Sequence, residues 1–323
     1  MKSDSTYAKA LEGYIQCDIH NMWDAHFPAA ILATELFLEK HSVSKESEIL
    51  IEKQIGAIVR SKPDLFSTVR ISENDSTTSE SILAKELLND LKSFRQVEFG
   101  HHTIHAALIL EALRREPDFL RTGYIRHLMS LISKYKNSIP RYWLHLEPEH
   151  RPTDFFIDKL NVFDHDMSNQ EIARIVLVEV LGHGPLYQQM GSIAHTGHIL
   201  AQANSLIQLD NLGYRAIRDE GLFGLEAHII LTRDSIGKSA PENSSWTPTV
   251  RAAHKWTEPE FWQQDFLKNS WNDGHVMKWG YATYELLRVA DDPELKEPAE
   301  ELLRHLTNPC HTAIETEETL TPH

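Results

Sequence analysis

Cysteine is nearly missing from this sequence: Cys17 and Cys310 are the two in 323 residues. Two thiols cannot build a disulfide framework, so a reducing, cytoplasmic setting is expected. Long apolar runs are missing too. The longest, Ala29 to Leu38 and Ala106 to Leu113, are broken by Glu or Thr. Neither approaches the ~20 residues of a membrane span, so no membrane partner is expected. Met1 to Lys9 is polar and lacks the apolar region of a signal peptide. Positive charge is in deficit. A formal net charge of -15 repels a phosphate backbone and excludes nucleic acid as an expected partner. Several catalytic signatures are also absent: no Gly-x-Ser-x-Gly elbow, no His-Glu-x-x-His, no phosphate-cradling Gly loop. Neither Glu-x-x-His pairs nor paired Asp residues recur in the register expected of a di-iron bundle.

What remains is helical. Ala30, Ile31, Leu32, Leu36 and Phe37 recur at three- and four-residue spacings, as do Ile104, Leu108, Ile109 and Leu113. Alternating β-branched runs with hairpin turns are hard to find. Hydrophobic residues make up 41% of the chain, enough for a sizeable core. The expected fold is all-α: an α/α toroid-like or multi-helix single domain over 1–309 with a central cavity, followed by a flexible acidic tail over 310–323. Breakers mark the loops. Ser72 to Ser79 reads as a surface loop entering a capped helix, and Asn137 to Asp154 as an irregular connector. Arg233 to Pro259 reads as the longest break, a lid or pocket wall.

Histidine is the abundant exception, at 19 residues. It is the commonest metal ligand and a proton shuttle near neutrality. Four segments share one register: Ala25-His26-Phe27-Pro28, Gly100-His101-His102-Thr103, Gly197-His198-Ile199-Leu200 and Gly274-His275-Val276-Met277. Each has a small residue, then His, then an amphipathic helix with small residues about one turn in. Inner helices that begin at the same end would bring His26, His101, His198 and His275 to one mouth. Neutral imidazoles suit iron, zinc, copper and nickel but supply no charge. An anionic ligand would relieve the cost of holding a divalent ion in a low-dielectric cavity. Lys278 lies three residues after His275, on the same helix face. If buried, its amine is pushed toward the neutral form and can react with carbon dioxide to give an anionic carbamate. On spacing alone the commoner fate is a lysine reaching water along Trp279.

These windows resemble a known family. Ala25-His26-Phe27-Pro28 with its apolar helix is similar to the Asn-His-x-Pro-His element of the questin oxidase family. Phe99-Gly100-His101-His102-Thr103-Ile104-His105 resembles that family's Phe-x-His-Pro-x-Ile-His, and Gly274-His275-Val276-Met277-Lys278 its Gly-His-x-x-Lys. The chain departs from the pattern at Ala25, where Asn is usual, and at Ala29, where a second His is usual. The resemblance implies a helical non-haem oxygenase that uses Fe(II), held by four histidines and a carboxylated lysine. Its metal ligands would be His26, His101, His198, His275 and Lys278, with a CO2-derived carbamate on Lys278. Its partners would be O2 and an aromatic or quinone-like small molecule. Zinc is the alternative ion, with hydrolase, lyase or cyclase chemistry, and a non-enzymatic helical interaction protein is the third reading.

In the third window Thr196-Gly197-His198 resembles a Thr-Gly element, but the register slips, and His195 competes with His198 as ligand. His105 follows His101 at i+4 and could chelate with it, orient it or bind substrate. His183, in Gly182-His183-Gly184-Pro185, sits on a turn and could line the pocket or face water. His105, His195 and His183 are therefore the catalytic candidates beyond the ligands. Tyr187, Trp271, Trp279 and Tyr281 could wall a planar substrate or be plain core. His20 and Asp24 read as a local i,i+4 hydrogen bond.

Overall fold

A computed structural model describes residues 5–69, 75–94, 100–135, 163–164, 166–183, 186, 192–239, 248–263 and 274–308. Among them are twelve α-helices and no strand, only an isolated bridge between Thr77 and Arg121. The all-α expectation holds. No helix among the described residues is long and apolar enough to cross a membrane.

Every third helix belongs to an inner ring. The four are α2 (His26–Lys40), α5 (His101–Arg115), α8 (Ser192–Asn211) and α11 (His275–Ala290). α2 packs on α5, α5 on α8, α8 on α11, and α11 closes the ring on α2. Their sequences explain the position. From His26 to Phe37 only Glu35 is not buried, and from His101 to Leu113 only Glu111, the signature of a helix apolar nearly all round. The four run in one direction. Their histidines meet at one end, while Lys40, Arg114, Asn211 and Glu285, near their C-terminal ends, line one pocket at the other.

The outer layer returns the chain between inner helices. α1 (Thr6–Ile19) lies on α2, α5 and α6 (Thr122–Tyr135). α3 (Lys45–Ser61) packs on α2, and α4 (Ser81–Phe94) on α5, α6 and α9 (Arg215–Ser239). α7 (Asn169–Gly182) covers α8 and α11, α10 (Pro259–Trp262) touches α3, and α12 (Lys296–Leu306) covers α11. Outer helices start as serine chemistry dictates. The Ser5 and Ser44 side chains accept from Ala8 N and Ser47 N, each at 3.0 Å, and Ser168 with Glu171 forms a capping box on α7. The inner helices α2, α5 and α11 have no such side-chain cap.

Small residues bring the inner helices close. Gly100 (φ 71°) and Gly274 (φ 93°) turn the chain into α5 and α11 in the left-handed region that glycine alone enters without strain. A Cβ on Gly100 would stand 2.5 Å from Gln202 Cγ of α8, and one on Gly274 2.5 Å from the His26 carbonyl oxygen of α2. A Cβ on Gly197 would stand 2.3 Å from Trp279, which seals α8 to α11.

Three expectations need correction or placement. Arg233 to Pro259 is not one long loop: α9 runs on to Ser239, past the Ser and Gly that suggested a break. Residues 248–258 are a strap on α12, tied by Ala252 N to Arg304 O (2.8 Å) and Asn308 Nδ2 to Val250 O (2.8 Å), and the middle of the expected lid or wall, 240–247, lies outside the described residues. No bond joins His20 to Asp24; Asp24 instead accepts from Asn21 and Lys62. The connector 137–154 and the tail 310–323 lie outside the described residues.

Candidate metal centre

Helix geometry does the gathering. His26, His101 and His275 are each the first residue of an inner helix, and His198 is the seventh residue of α8, which starts earlier. The four rings form a closed circuit. Centroid separations are 4.9 Å for His26–His101, 4.8 Å for His101–His198, 4.9 Å for His198–His275 and 4.4 Å for His275–His26. One ring nitrogen from each of His26, His101 and His275 lies within 4.8 Å of the others.

The tautomers are partly fixed. His198 Nδ1 donates to the Ala194 carbonyl at 2.7 Å, which leaves Nε2 as a bare lone pair facing the centre. That Nε2 lies 3.1 Å from His101 Nε2. Two nitrogens each ~2.1 Å from a shared ion stand about that far apart when adjacent in its ligand shell. Burial and then the charge of Lys278 and the neighbouring imidazoles hold His26 well below the ordinary imidazole range. Burial and the neighbouring imidazoles, with Lys278 last, do the same to His198. Both are therefore neutral at pH 7, the form that binds metal.

Lys278 does not snorkel. It is 2% exposed, and its Nζ contacts His26 Nδ1 from one turn into α11. The five residues His26, His101, His198, His275 and Lys278 thus form one group of four imidazoles and an amine, buried except for half-buried His275. The donor set fits a divalent transition ion, with Lys278 where an anionic oxygen could be supplied.

His105 packs against this group, with its ring 5.6 Å from His26 and 5.9 Å from His101. Its Nδ1 is 3.3 Å from Tyr14 Oη, and its Nε2 is buried without a hydrogen-bond partner among the described residues.

No family model, curated protein or solved structure matches this chain. What the site can do has to come from its own residues.

Competition in the third window resolves geometrically. His198 joins the four-ring circuit, whereas His195 turns to α9, its Nδ1 3.2 Å from His228 Nε2. His228 Nδ1 reaches Gln202 Oε1 at 3.1 Å. His195 is therefore displaced from the ligand position by one helical turn. His183 caps the C-terminus of α7, buried rather than in water, and neither ring nitrogen has a hydrogen-bond partner among the described residues. Burial and then the charge of Arg233 lower its pKa to about 4. Electrostatically it is felt by His228. His183, His195 and His228 so make up a second histidine group, on α7, α8 and α9.

The aromatic wall divides. Trp279 lies against His275 (5.1 Å) and His198 (5.8 Å), while the Tyr281 hydroxyl accepts from Lys40 Nζ at 2.9 Å. Tyr187 and Trp271 lie outside the described residues. Sequence reading missed Trp23. It is 44% exposed, stacked 6.4 Å from His26 and edge-on 5.8 Å from His101. Its position two residues before the repeat, in a 3-10 turn, was the available signal.

Proposed function

We propose that this chain is a non-haem metal oxygenase, Fe(II)-dependent, acting on an aromatic or quinone-like small molecule. His26, His101, His198 and His275 would hold the ion through neutral nitrogens, and a carboxylated Lys278 would hold it through oxygen. The observation that carries this reading is the closed circuit of four imidazoles with a buried lysine beside it. These five residues would be the ion's protein ligands. When bound, the iron would supply the redox chemistry that dioxygen needs.

The chain's own residues favour negative charge at that end. The uncapped N-termini of α2, α5 and α11 converge there, and each presents the positive end of a helix dipole. A carbamate on Lys278 is stabilised by that field, and so is a phenolate or quinone oxygen of a substrate. Half-exposed Trp23, face-on to His26 and edge-on to His101, offers a flat surface on which a planar ring can stack. Burial keeps bulk water off the inner side of the rings.

A zinc reading has one observation in its favour: His26, His101 and His275 alone form the three-imidazole set of many hydrolytic zinc sites. Metal analysis after anaerobic purification of the full chain decides between the two. About one iron per chain with dioxygen uptake is expected. Zinc without dioxygen uptake would favour the hydrolytic reading, and no stoichiometric metal would leave a helical scaffold. Lys278→Ala is expected to lower iron affinity at least tenfold. Full iron binding with full dioxygen uptake in that variant would remove the carbamate from the proposal.

A further inference from the structure

Tyr135 of α6, Tyr14 of α1 and Trp23 of the turn before α2 crowd the histidines. Tyr135 lies close to parallel with His101 (5.5 Å between centroids, 27° between planes) and with His105 (5.0 Å, 23°). Trp23 stands 6.4 Å from His26 and 5.8 Å from His101, and it meets Tyr135 edge-on at 5.8 Å. Tyr14 meets His105, its Oη 3.3 Å from Nδ1. Of these three, Trp23 alone reaches solvent, whereas both tyrosines are fully buried. The Tyr135 hydroxyl donates to the Met22 carbonyl, which ties the turn carrying Trp23 to α6.

This arrangement can do more than fill space. Indole and phenol rings give up an electron more readily than aliphatic side chains, and rings in contact can pass it from one to the next. A phenol is oxidised easily only when its proton leaves at the same time. The proton of Tyr135 faces a backbone carbonyl, a very weak base, so an oxidised state does not settle there. An indole can lose its electron first and release its N–H proton to water afterwards. Half-exposed Trp23 has that water, and it touches two of the four imidazoles.

We infer that Trp23 is an outlet for oxidising equivalents left among the histidines when dioxygen is reduced there without an aromatic substrate. The inference rests on the oxygenase reading above. In the step, Trp23 gives one electron, through His101 directly or by way of Tyr135, to a one-electron oxidant derived from dioxygen. The oxidant is reduced by that electron, and the indole Nε1 proton goes to water. A dissolved thiol then returns one electron and one proton to the indolyl radical and is itself oxidised.

The test uses the full chain loaded with Fe(II) and exposed to dioxygen without substrate or thiol. Catalase and superoxide dismutase are present to remove diffusing oxidants. Dioxygen uptake is recorded, and oxidised side chains are then mapped by peptide mass spectrometry. Trp23 is expected to carry at least ten times the oxidation of its half-buried neighbour Met22, a side chain that diffusing oxidants attack readily. It should also carry at least ten times what Trp23 carries in the zinc-loaded chain. In Trp23→Phe, oxidation of His26 and His101 should rise at least threefold. Dioxygen uptake with Trp23 unmodified, or with Met22 oxidised equally, would overturn the outlet and leave the oxygenase standing. Oxidation gathered on Tyr14 instead, or no rise at His26 and His101 in Trp23→Phe, would overturn it as well. No dioxygen uptake would sink the oxygenase reading, and the outlet with it. Should Trp23→Phe not fold, the map of the parent decides alone.

Discussion

His198 owes its role to a backbone carbonyl. Because Nδ1–H donates to Ala194 O within the same helix, the ring cannot turn away, and its bare Nε2 is aimed at His101. His195, three residues earlier, has the same chemistry but a different neighbour, His228 on α9. The two substitutions should therefore separate. His198→Ala is expected to weaken metal binding at least a hundredfold, and His195→Ala less than threefold, both read by metal titration of the full chain. Equal losses would mean that the bond to Ala194 does not choose between them.

At the scale of the element, the ring closes because three glycines stand where helices meet. Gly274 is the strictest case, since the obstacle to a Cβ is the His26 backbone carbonyl and cannot rotate away. Gly274→Ala adds left-handed strain to a backbone clash and is expected to cost roughly 2–4 kcal/mol. A lowered urea midpoint whose shift, multiplied by an unchanged slope, gives that amount would agree, while a loss below about 0.5 kcal/mol would mean that α2 and α11 are not in close contact. The four-fold pattern of small residue, His and apolar helix was readable because it serves this packing, and it pointed to parallel inner helices. The slip at α8 was readable only as ambiguity. Its helix begins at Ser192, so His198 reaches the centre from the second turn, and nothing local in the sequence sets that depth. The extension of α9 was hidden for a related reason: Ser235, Gly237 and Ser239 look like loop residues, yet the helix carries through them. Trp23 carried no periodic signal, being in a turn whose position depends on the packing of α2.

For the molecule as a whole, acid is the sensitive direction. Many of its histidines are buried and neutral, so lowering the pH forces protons onto groups that must leave the interior to accept them. His183 isolates the effect, because it stands apart from the metal ligands. Its folded pKa of about 4 lies below an unfolded value of roughly 6.5. The unfolded chain thus binds the proton first as pH falls. The stability that His183 gives is complete above about pH 6.5 and is lost progressively down to about pH 4, a change on the order of 3 kcal/mol. Glu285 acts in a lower window. Desolvation would raise its pKa, but hydrogen bonds from His41 and Arg288 and the charge of Lys40 outweigh that and hold it below the usual carboxylate range. Its contribution is present above its unfolded pKa and is lost only as pH falls through the depressed folded value. Urea unfolding of the metal-free full chain at pH 7, 5.5 and 4.5 should therefore show falling stability. His183→Leu removes one titrating group and two buried nitrogens that have no hydrogen-bond partner among the described residues, so its stability should fall less steeply over the same range. Parallel pH profiles for the variant and the parent would show that His183 takes up its proton equally well in the folded chain, contrary to its burial at the end of α7.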